Sequence, residues 1–477
     1  MDAASFRHHG HVLVDWIAAY LEQPERYPVL AQVTPGALVQ ALPGEAPENG
    51  ESFDAIMADF ERLVVPALTH WNHPGFLAYF PSTSSGPGIL AELLASALNQ
   101  QAMLWRTSPA ATELETVALA WLRRLISLPD SFEGVIYDTA SVSTLHALAA
   151  ARERQIPQVK TRGLAGRTLP PLRVYCSEHA HSSVDKAMIA LGLGLESLRK
   201  VPVDHEFRLR PDALARQLAD DRRTGAIPVA VVATVGTTST TSVDPLPEIA
   251  DLCEQERIWL HVDAAYAGVA AILPSHAYVL KGADRADSLV VNPHKWLFTP
   301  VDLSVLYVRC MDTLRAAFAL TPAYLQTTDG DGARNLMDMG IPLGRRFRAL
   351  KLWMVLRSFG RHGIRSHLAR HIDLARQFAG WVDKHPEFTR VAPVPFSVVC
   401  FRWTPRAEDA TVNRLNAALL DGVNHSGDVF LSHTVVDGQY VLRLAIGHER
   451  TTIAHIARAW ALVQEQAQRL RASIAQA

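Results

Sequence analysis

The sequence predicts an α/β protein: a mostly parallel sheet buried on both faces, a helical N-terminal segment and a small α+β C-terminal domain. Three observations carry that prediction. Short apolar runs with little polar alternation recur between residues 85 and 355, the mark of strands covered on both sides. Helical patterns separate most of these runs, which is how parallel strands are joined. Beyond residue 355 the regular order gives way to helices mixed with two further apolar runs.

From the N-terminus, Leu13, Trp16, Ile17, Tyr20 and Leu21 share one helical face before Pro24 halts the helix. Residues 42–52 are polar, contain proline and glycine, and read as a connector; a second helix is expected over 53–68. These early helices have apolar faces but no core of their own, so residues 1–84 are expected to pack on something else, such as a partner subunit. Strands are expected at 134–136, 173–176, 229–235, 258–262, 288–291 and 303–308, with helices such as 143–154 and 245–257 between them. Together they form one large domain, 85–355. The last segment, 356–477, has candidate strands at 397–401 and 440–444 and ends in an amphipathic helix carrying Ile453, Ile456, Trp460 and Val463.

Size and charge narrow the function classes. A chain of 477 residues, 48% hydrophobic and 20% charged, has the balance of a globular enzyme with a large core. A net charge of -2 gives no reason to expect nucleic acid or an anionic membrane as partner. No apolar run approaches the roughly 20 residues of a membrane span, and Met1 to Arg7 lack the layout of a signal peptide. Cys176, Cys253, Cys310 and Cys400 show no metal-ligand spacing, and no metal site is expected. Cys176, Cys310 and Cys400 border apolar runs, which points to buried free thiols and a cytoplasmic location. The short cluster Arg345-Arg346-Phe347-Arg348 reads as a solvated helix face.

Four groups fall where the predicted strands end, the edge at which open α/β sheets bind ligands. Asp138-Thr139-Ala140-Ser141 opens a helix and offers N–H groups and hydroxyls to a phosphate, or is an ordinary helix cap. Ser177-Glu178-His179-Ala180-His181 carries a histidine suited to lying on a cofactor ring, or to a plain hydrogen-bonded loop. Thr234-Val235-Gly236-Thr237-Thr238 is a strand entering a hydroxyl-rich turn. The fourth pairs Asp263, in His261-Val262-Asp263-Ala264-Ala265, with Lys295, in Asn292-Pro293-His294-Lys295-Trp296. A lysine amine able to form a Schiff base and a carboxylate able to keep a pyridine nitrogen protonated are the two groups that pyridoxal 5'-phosphate (PLP) chemistry requires.

Further motifs extend the pattern over nearly the whole chain: Thr69-His70-Trp71-Asn72-His73-Pro74, Phe76-Leu77-Ala78-Tyr79-Phe80-Pro81, residues 108–115, Ala180-His181-Ser182-Ser183-Val184, residues 261–268, residues 292–297, and Leu343-Gly344-Arg345-Arg346-Phe347-Arg348. In this combination the sequence resembles the group II PLP-dependent amino-acid decarboxylases of the aromatic-L-amino-acid decarboxylase type. The resemblance implies a fold type I PLP enzyme, a homodimer whose N-terminal helices pack across the partner, and an amino-acid substrate, with an aromatic side chain favoured. It implies that Lys295 carries the Schiff base, Asp263 pairs with the pyridine nitrogen and His181 stacks on the ring. By the same resemblance Ala140, Ser141, Asn292 and His294 border the phosphate, Thr238 and Ala265 line the ring, and Trp71, Tyr79, Phe80, Pro81 and Met103 shape the substrate pocket.

Departures from the family pattern bear on the product. The family carries a tyrosine in a mobile loop ahead of the Leu-Gly-Arg-Arg-Phe motif, where it assists protonation at Cα. Here the corresponding stretch is 329–340, the aligned residue is Leu336, and no tyrosine remains; Tyr324 lies upstream and takes no such role. Gly330 and Gly332 suggest a mobile lid. A decarboxylase releasing amine and CO2 is the main expectation. The alternative is an O2-dependent aldehyde synthase, because loss of that hydroxyl accompanies oxidation in some relatives. Arg106 reads either as an interface ion pair or as a group for a second substrate carboxylate. A non-catalytic scaffold would not need Lys295, Asp263 and His181 together.

Overall fold

The computed structural model describes residues 1–320 and 334–476. Tyr324 and the glycine-rich stretch 329–332 lie outside the described residues. The chain forms two compact units, one made of Met1–Pro81, Leu374–Val391 and Val399–Ala477, the other of Ser82–Asp373 and Ala392–Val398. In chain order the strands are β1 (Phe76–Leu77), β2 (Glu133–Tyr137), β3 (Leu172–Ser177), β4 (Leu198–Val201), β5 (Ile227–Thr234), β6 (Trp259–Asp263), β7 (Ser288–Val291), β8 (Ser304–Val308), β9 (Phe388–Arg390), β10 (Val398–Trp403), β11 (Phe430–Val436) and β12 (Gln439–Ala445).

The second unit is built on a seven-stranded sheet in the order β2-β8-β7-β6-β5-β3-β4. Neighbours run parallel from β7 through β4, while β8 is antiparallel to both β2 and β7. It follows that β2 runs in the same direction as β7, and six of the strands end at one edge. Central strands are buried throughout because both sides are covered: Val229 to Ala233 are fully buried in β5, as are Leu289 to Val291 in β7. Each such valine contributes about 2 kcal/mol of burial. The helix Ala140–Gln155 lies against this sheet with Ala147 to Ala151 buried, and its small side chains let the helix approach the strands closely. A helix covered so fully has little polar face, which is why its amphipathic signal is faint.

The first unit carries a five-stranded sheet in the order β1-β11-β12-β10-β9. β11 and β12 form a hairpin whose two turn residues, Asp437 and Gly438, both have positive φ, at 50° and 75°. That is the type I′ geometry an Asp-Gly pair favours. The helix expected over 53–68 is regular only over Phe53–Asp59; it widens into a π-type turn at Phe60–Val64 and tightens to a 3-10 turn at Val65–Ala67. Pro66 lacks the N–H that a continuing α-helix would need.

Cys176, Cys253 and Cys400 are buried free thiols, whereas Cys310 is exposed. It lies past the end of β8 as the residue leading into the helix Met311–Phe318, so the apolar run it borders has already left the core. No helix among the described residues is long and apolar enough to cross a membrane.

Candidate active site

The parallel registers set Asp263, the last residue of β6, beside Thr234 at the end of β5 and Val290 of β7. β7 ends one residue later, and Asn292 leads into a single helical turn, Pro293–Trp296, that carries Lys295. Two backbone bonds lace these strand ends together: Ala264 N–H donates to Val290 O and Asn292 N–H to Ala265 O, both at 3.0 Å. Ala265 N–H donates to Asp263 Oδ1 at 3.1 Å and fixes the plane of the carboxylate. Close packing here demands glycine at 236, where φ is +87° and a Cβ would stand 2.7 Å from that of Ala267.

Lys295 is held in surroundings whose low polarity pushes its ammonium pKa below the ordinary range, with Asp263 opposing the shift. His181 follows β3 and feels both groups: burial lowers its pKa, Asp263 pulls it up and Lys295 pushes it down. Ser183 N–H donates to His181 Nδ1 at 3.1 Å, so the neutral imidazole carries its proton on Nε2. Lys295, Asp263 and His181 are thus electrostatic neighbours, as the sequence led us to expect.

The second cluster lies at the ends of β2 and β7. Val142 and Ser143 N–H both bond Thr139 O, which leaves the N–H groups of Ala140 and Ser141 at the open start of the helix. Leu303 N–H donates to His294 Nδ1 at 2.8 Å, and burial drives the His294 pKa down to about 3, so this ring is neutral. Its Nε2 must then carry the proton, and the Asn292 carboxamide, 3.3 Å away, must turn its oxygen toward it. The other end of that carboxamide is buried and has no partner among the described residues; the same holds for Ser177 Oγ and Thr234 Oγ1. Asn292 follows β7 and Thr234 ends β5, on either side of Asp263, and Ser177 ends β3 one strand further along. A polar group the size of a phosphate-bearing pyridine would satisfy them, so the residues present fit PLP.

Ala265 is buried beside Asp263. Thr238 is exposed; its neighbour Thr237 is buried, its hydroxyl paired with Thr240 Oγ1 at 3.1 Å and accepting from Ser242 N–H at 3.0 Å. Met103 packs with Leu104 and Met337, and Met337 N–H donates to Met103 O at 3.2 Å. Trp71, Tyr79, Phe80 and Pro81 all belong to the first unit. There Trp71 stacks on Phe76 and Tyr79 at 4.3 and 5.8 Å, the Arg443 guanidinium lies over Phe80, and Pro81 packs at Gly447. Arg106 is exposed on the protomer. Leu336 is 2% exposed in the short turn Leu336–Met339, within the apolar core that also holds Tyr137, Ala147 and Ala265.

Arg345 is no solvated helix residue. It is buried and donates to Glu115 Oε1 and Ile136 O at 2.8 Å and to Ala102 O at 3.1 Å. Its backbone N–H also bonds Gln101 Oε1 at 2.6 Å. The sequence shows four residues with three positive charges and nothing of the buried carboxylate that draws one of them inward. Arg346 and its neighbour Glu92 form the exposed pair.

An amine raised on a turn at a parallel sheet's carboxyl edge, one strand from a fixed carboxylate, is the working arrangement of PLP-dependent enzymes. The comparisons with known proteins narrow the class. The pattern of the pyridoxal-dependent decarboxylase conserved domain matches residues 35–404, and the chain belongs to that family. It is 41% identical to tryptophan decarboxylase 2 of Oryza sativa subsp. japonica, covering 98% of this chain and 95% of the relative. It is also 41% identical to phenylacetaldehyde synthase of Arabidopsis thaliana, over 98% and 96%. Among solved structures, Oryza sativa TDC with PLP and tryptamine matches with a TM-score of 0.95 at 36% identity, covering 98% of this chain and 99% of that one. Rhodiola rosea 4-hydroxyphenylacetaldehyde synthase matches at 0.91 and 33% identity, with the same coverage. The fold is fold type I, the cofactor is pyridoxal 5'-phosphate, and the protein is a carboxy-lyase acting on an amino acid.

Proposed function

We propose that the protein removes the α-carboxylate of an aromatic L-amino acid, releasing CO2 and the amine, and that it works as a cytoplasmic homodimer. The mutual arrangement of Lys295, Asp263 and His181 carries the reading. Bound PLP supplies the electron sink for the pair left behind when CO2 departs. Lys295, its ammonium pKa lowered by burial, would be the amine that holds the cofactor and yields its place to the substrate amine. Asp263 would keep a proton on the ring nitrogen. His181, its Nε2–H fixed by Ser183, would stack on the ring and could hand a proton toward Cα. Ala140, Ser141, Asn292 and His294 would hold the phosphate, and Thr238 and Ala265 would line the ring. The residues to which the resemblance gives the substrate side chain, Trp71, Tyr79, Phe80, Pro81 and Met103, are an aromatic and apolar set suited to an aromatic substrate.

Dimerisation is supported by apolar side chains that a lone protomer leaves in water. Phe6, Val12 and Val14 on the helix Ala3–Glu22, and Leu90, Leu93, Leu94 and Leu98 on the helix Gly86–Leu98, are each between 44% and 61% exposed. We assign residues 1–84 to the dimer contact, 85–355 to the cofactor domain and 356–477 to the small domain. Four free cysteines suit a reducing compartment.

Leu336 favours a second reading. With no hydroxyl and a buried side chain, it offers no proton to Cα. In an O2-dependent aldehyde synthase the amino acid, O2 and water give aldehyde, CO2, ammonia and hydrogen peroxide. PLP-loaded enzyme given aromatic and acidic L-amino acids, with and without O2, separates the two. Amine formed equally well without O2 establishes the decarboxylase; aldehyde and peroxide only with O2 establish the synthase. Turnover of acidic substrates alone would refute the aromatic assignment.

A further inference from the structure

The turn that carries Lys295 is only four residues long, Pro293–Trp296, and is held by few bonds of its own. Lys295 N–H reaches Asn292 O and Leu297 N–H reaches Pro293 O, each at 3.0 Å. Its last residue, Trp296, is anchored differently. The indole N–H donates to Nδ1 of His371 at 3.0 Å, with the two rings inclined by only 15°. His371 is fully buried on the long helical segment Ala349–Lys384, past its break at Gly360 (φ +58°), with Phe298 and His367 also close to its ring. On its other side Trp296 is stacked by Tyr266 at 5.0 Å and 14°, and the Tyr266 hydroxyl pairs with Ser397 Oγ at 2.8 Å. Tyr266 follows Asp263 by three residues. One buried column therefore joins the end of β6, the lysine turn and the long helix, all within the second unit.

We infer that His371 is a positioning residue for Lys295: by accepting the Trp296 indole proton it fixes the rotation of the Pro293–Trp296 turn, and with it the direction in which the amine meets Asp263 and His181. The physical reason is the bond's geometry. An indole N–H only donates, so a buried one has a single satisfied orientation where a single acceptor faces it. Stacking by Tyr266 alone would let the indole slide in its plane, whereas a hydrogen bond in that plane does not. Because Lys295 is the adjacent residue, a rotation of the indole is passed to the amine through one peptide unit. The inference rests on Lys295 being the amine that binds the cofactor.

The test compares His371→Asn, His371→Phe, Trp296→Phe and the double Phe variant. The asparagine oxygen can take the place of Nδ1, whereas phenylalanine keeps the ring and removes the acceptor. Three readouts apply: kcat and KM, the pH midpoint of the visible band of the loaded enzyme, and capture of Lys295 by PLP and borohydride in cofactor-free protein, mapped by mass spectrometry across pH. His371→Phe and Trp296→Phe are expected to lower kcat roughly 10- to 100-fold, the scale of an ångström-sized misplacement. KM should stay within about 2-fold, since substrate binding is untouched. The band midpoint should move by about half a unit or more, and capture should slow. His371→Asn should restore all three, and the double variant should be no worse than either single.

Normal capture and a normal midpoint in His371→Phe, whatever its thermal stability, would overturn the inference; so would a loss that His371→Asn does not restore. If the phenylalanine variants do not fold, His371→Asn against His371→Gln decides, since the glutamine oxygen reaches the Nε2 position instead. A near-normal Asn with an impaired Gln supports the role, and equal behaviour overturns it. Capture of wild-type protein at a lysine other than Lys295 would instead refute the assignment of the amine itself.

Discussion

Replacing Arg345 by methionine tests how the wall around Met103 is held. Arg345 and Glu115 are 7% and 3% exposed at their side chains, so their ion pair is shielded from water. Arg345→Met removes three side-chain hydrogen bonds, to Glu115, Ile136 and Ala102, and leaves the Glu115 carboxylate with the Ile136 N–H at 2.9 Å. Breaking a buried pair from one side costs about 3–5 kcal/mol, because the remaining charge stays buried and uncompensated. Glu115→Gln keeps the bond to Ile136 N–H and should cost less, about 1–3 kcal/mol. The double variant leaves no charge behind and should be more stable than Arg345→Met alone, with a coupling of about 1–3 kcal/mol. Urea unfolding of cofactor-free protein at one fixed concentration reads these differences, since self-association and ligand would both shift apparent stability. A second effect follows from Ala102, whose N–H and C=O are both bonded by Arg345. Arg345→Met frees the carbonyl and leaves the N–H bonded to the backbone; the freed carbonyl loosens Met103, so KM for an aromatic substrate should rise. Arg345→Met within about 1 kcal/mol of the wild type, or a double variant costing more than the singles summed, would refute the reasoning.

Lys295→Ala is expected to lose both the yellow colour and all turnover; retained activity would remove Lys295 from the mechanism. Burial holds His261 down at about 4. The unfolded chain takes up that proton near pH 6.5, the folded one only near 4, so stability is full above 6.5 and falls between those values. His261→Asn should flatten the acid-unfolding slope by up to about 3 kcal/mol across that window; an unchanged slope would show that His261 does not govern it. Leu336→Tyr forces a larger ring and a hydroxyl into a 2%-exposed site and should cost about 1–3 kcal/mol in urea unfolding. Where the wild type forms aldehyde, the same change should raise the ratio of amine to aldehyde; a ratio that stays put would clear Leu336 of controlling the product.

The sheet was readable because its strands are continuous apolar runs: β5, β6, β7 and β8 fall within a residue or two of the positions their valines and leucines mark. β11 was not, since Phe430–Val436 mixes Ser432, His433 and Thr434 into a strand with a half-solvated face. The Asp437-Gly438 pair after it was the usable signal. In the site, Lys295, Asp263 and His181 follow recognisable strand ends, so their proximity was legible. Thr237 and Thr238 look alike in sequence, and only the fold shows that Thr237 turns inward to Thr240 and Ser242. The burial of Arg345 and the His371 anchor depend on partners more than a hundred and more than seventy residues away, a distance at which local pattern carries no information. Cys310 shows the opposite error, where an apolar neighbourhood in sequence did not mean burial.

The strand ends that make the site come from positions spread between Ala140 and Lys295. No local fragment contains the site, so it comes into being only after the slow, long-range pairings of the sheet are complete. A molecule that recognises this edge therefore recognises the finished fold and nothing earlier. By mass action it draws chains toward the native state, by about 2.7 kcal/mol at a hundredfold excess over Kd. Vitamin supply then acts on the quantity of enzyme as well as on its activity. A cell starved of cofactor would hold more of this chain in open forms that proteases can reach, and what they cut is replaced only by new synthesis.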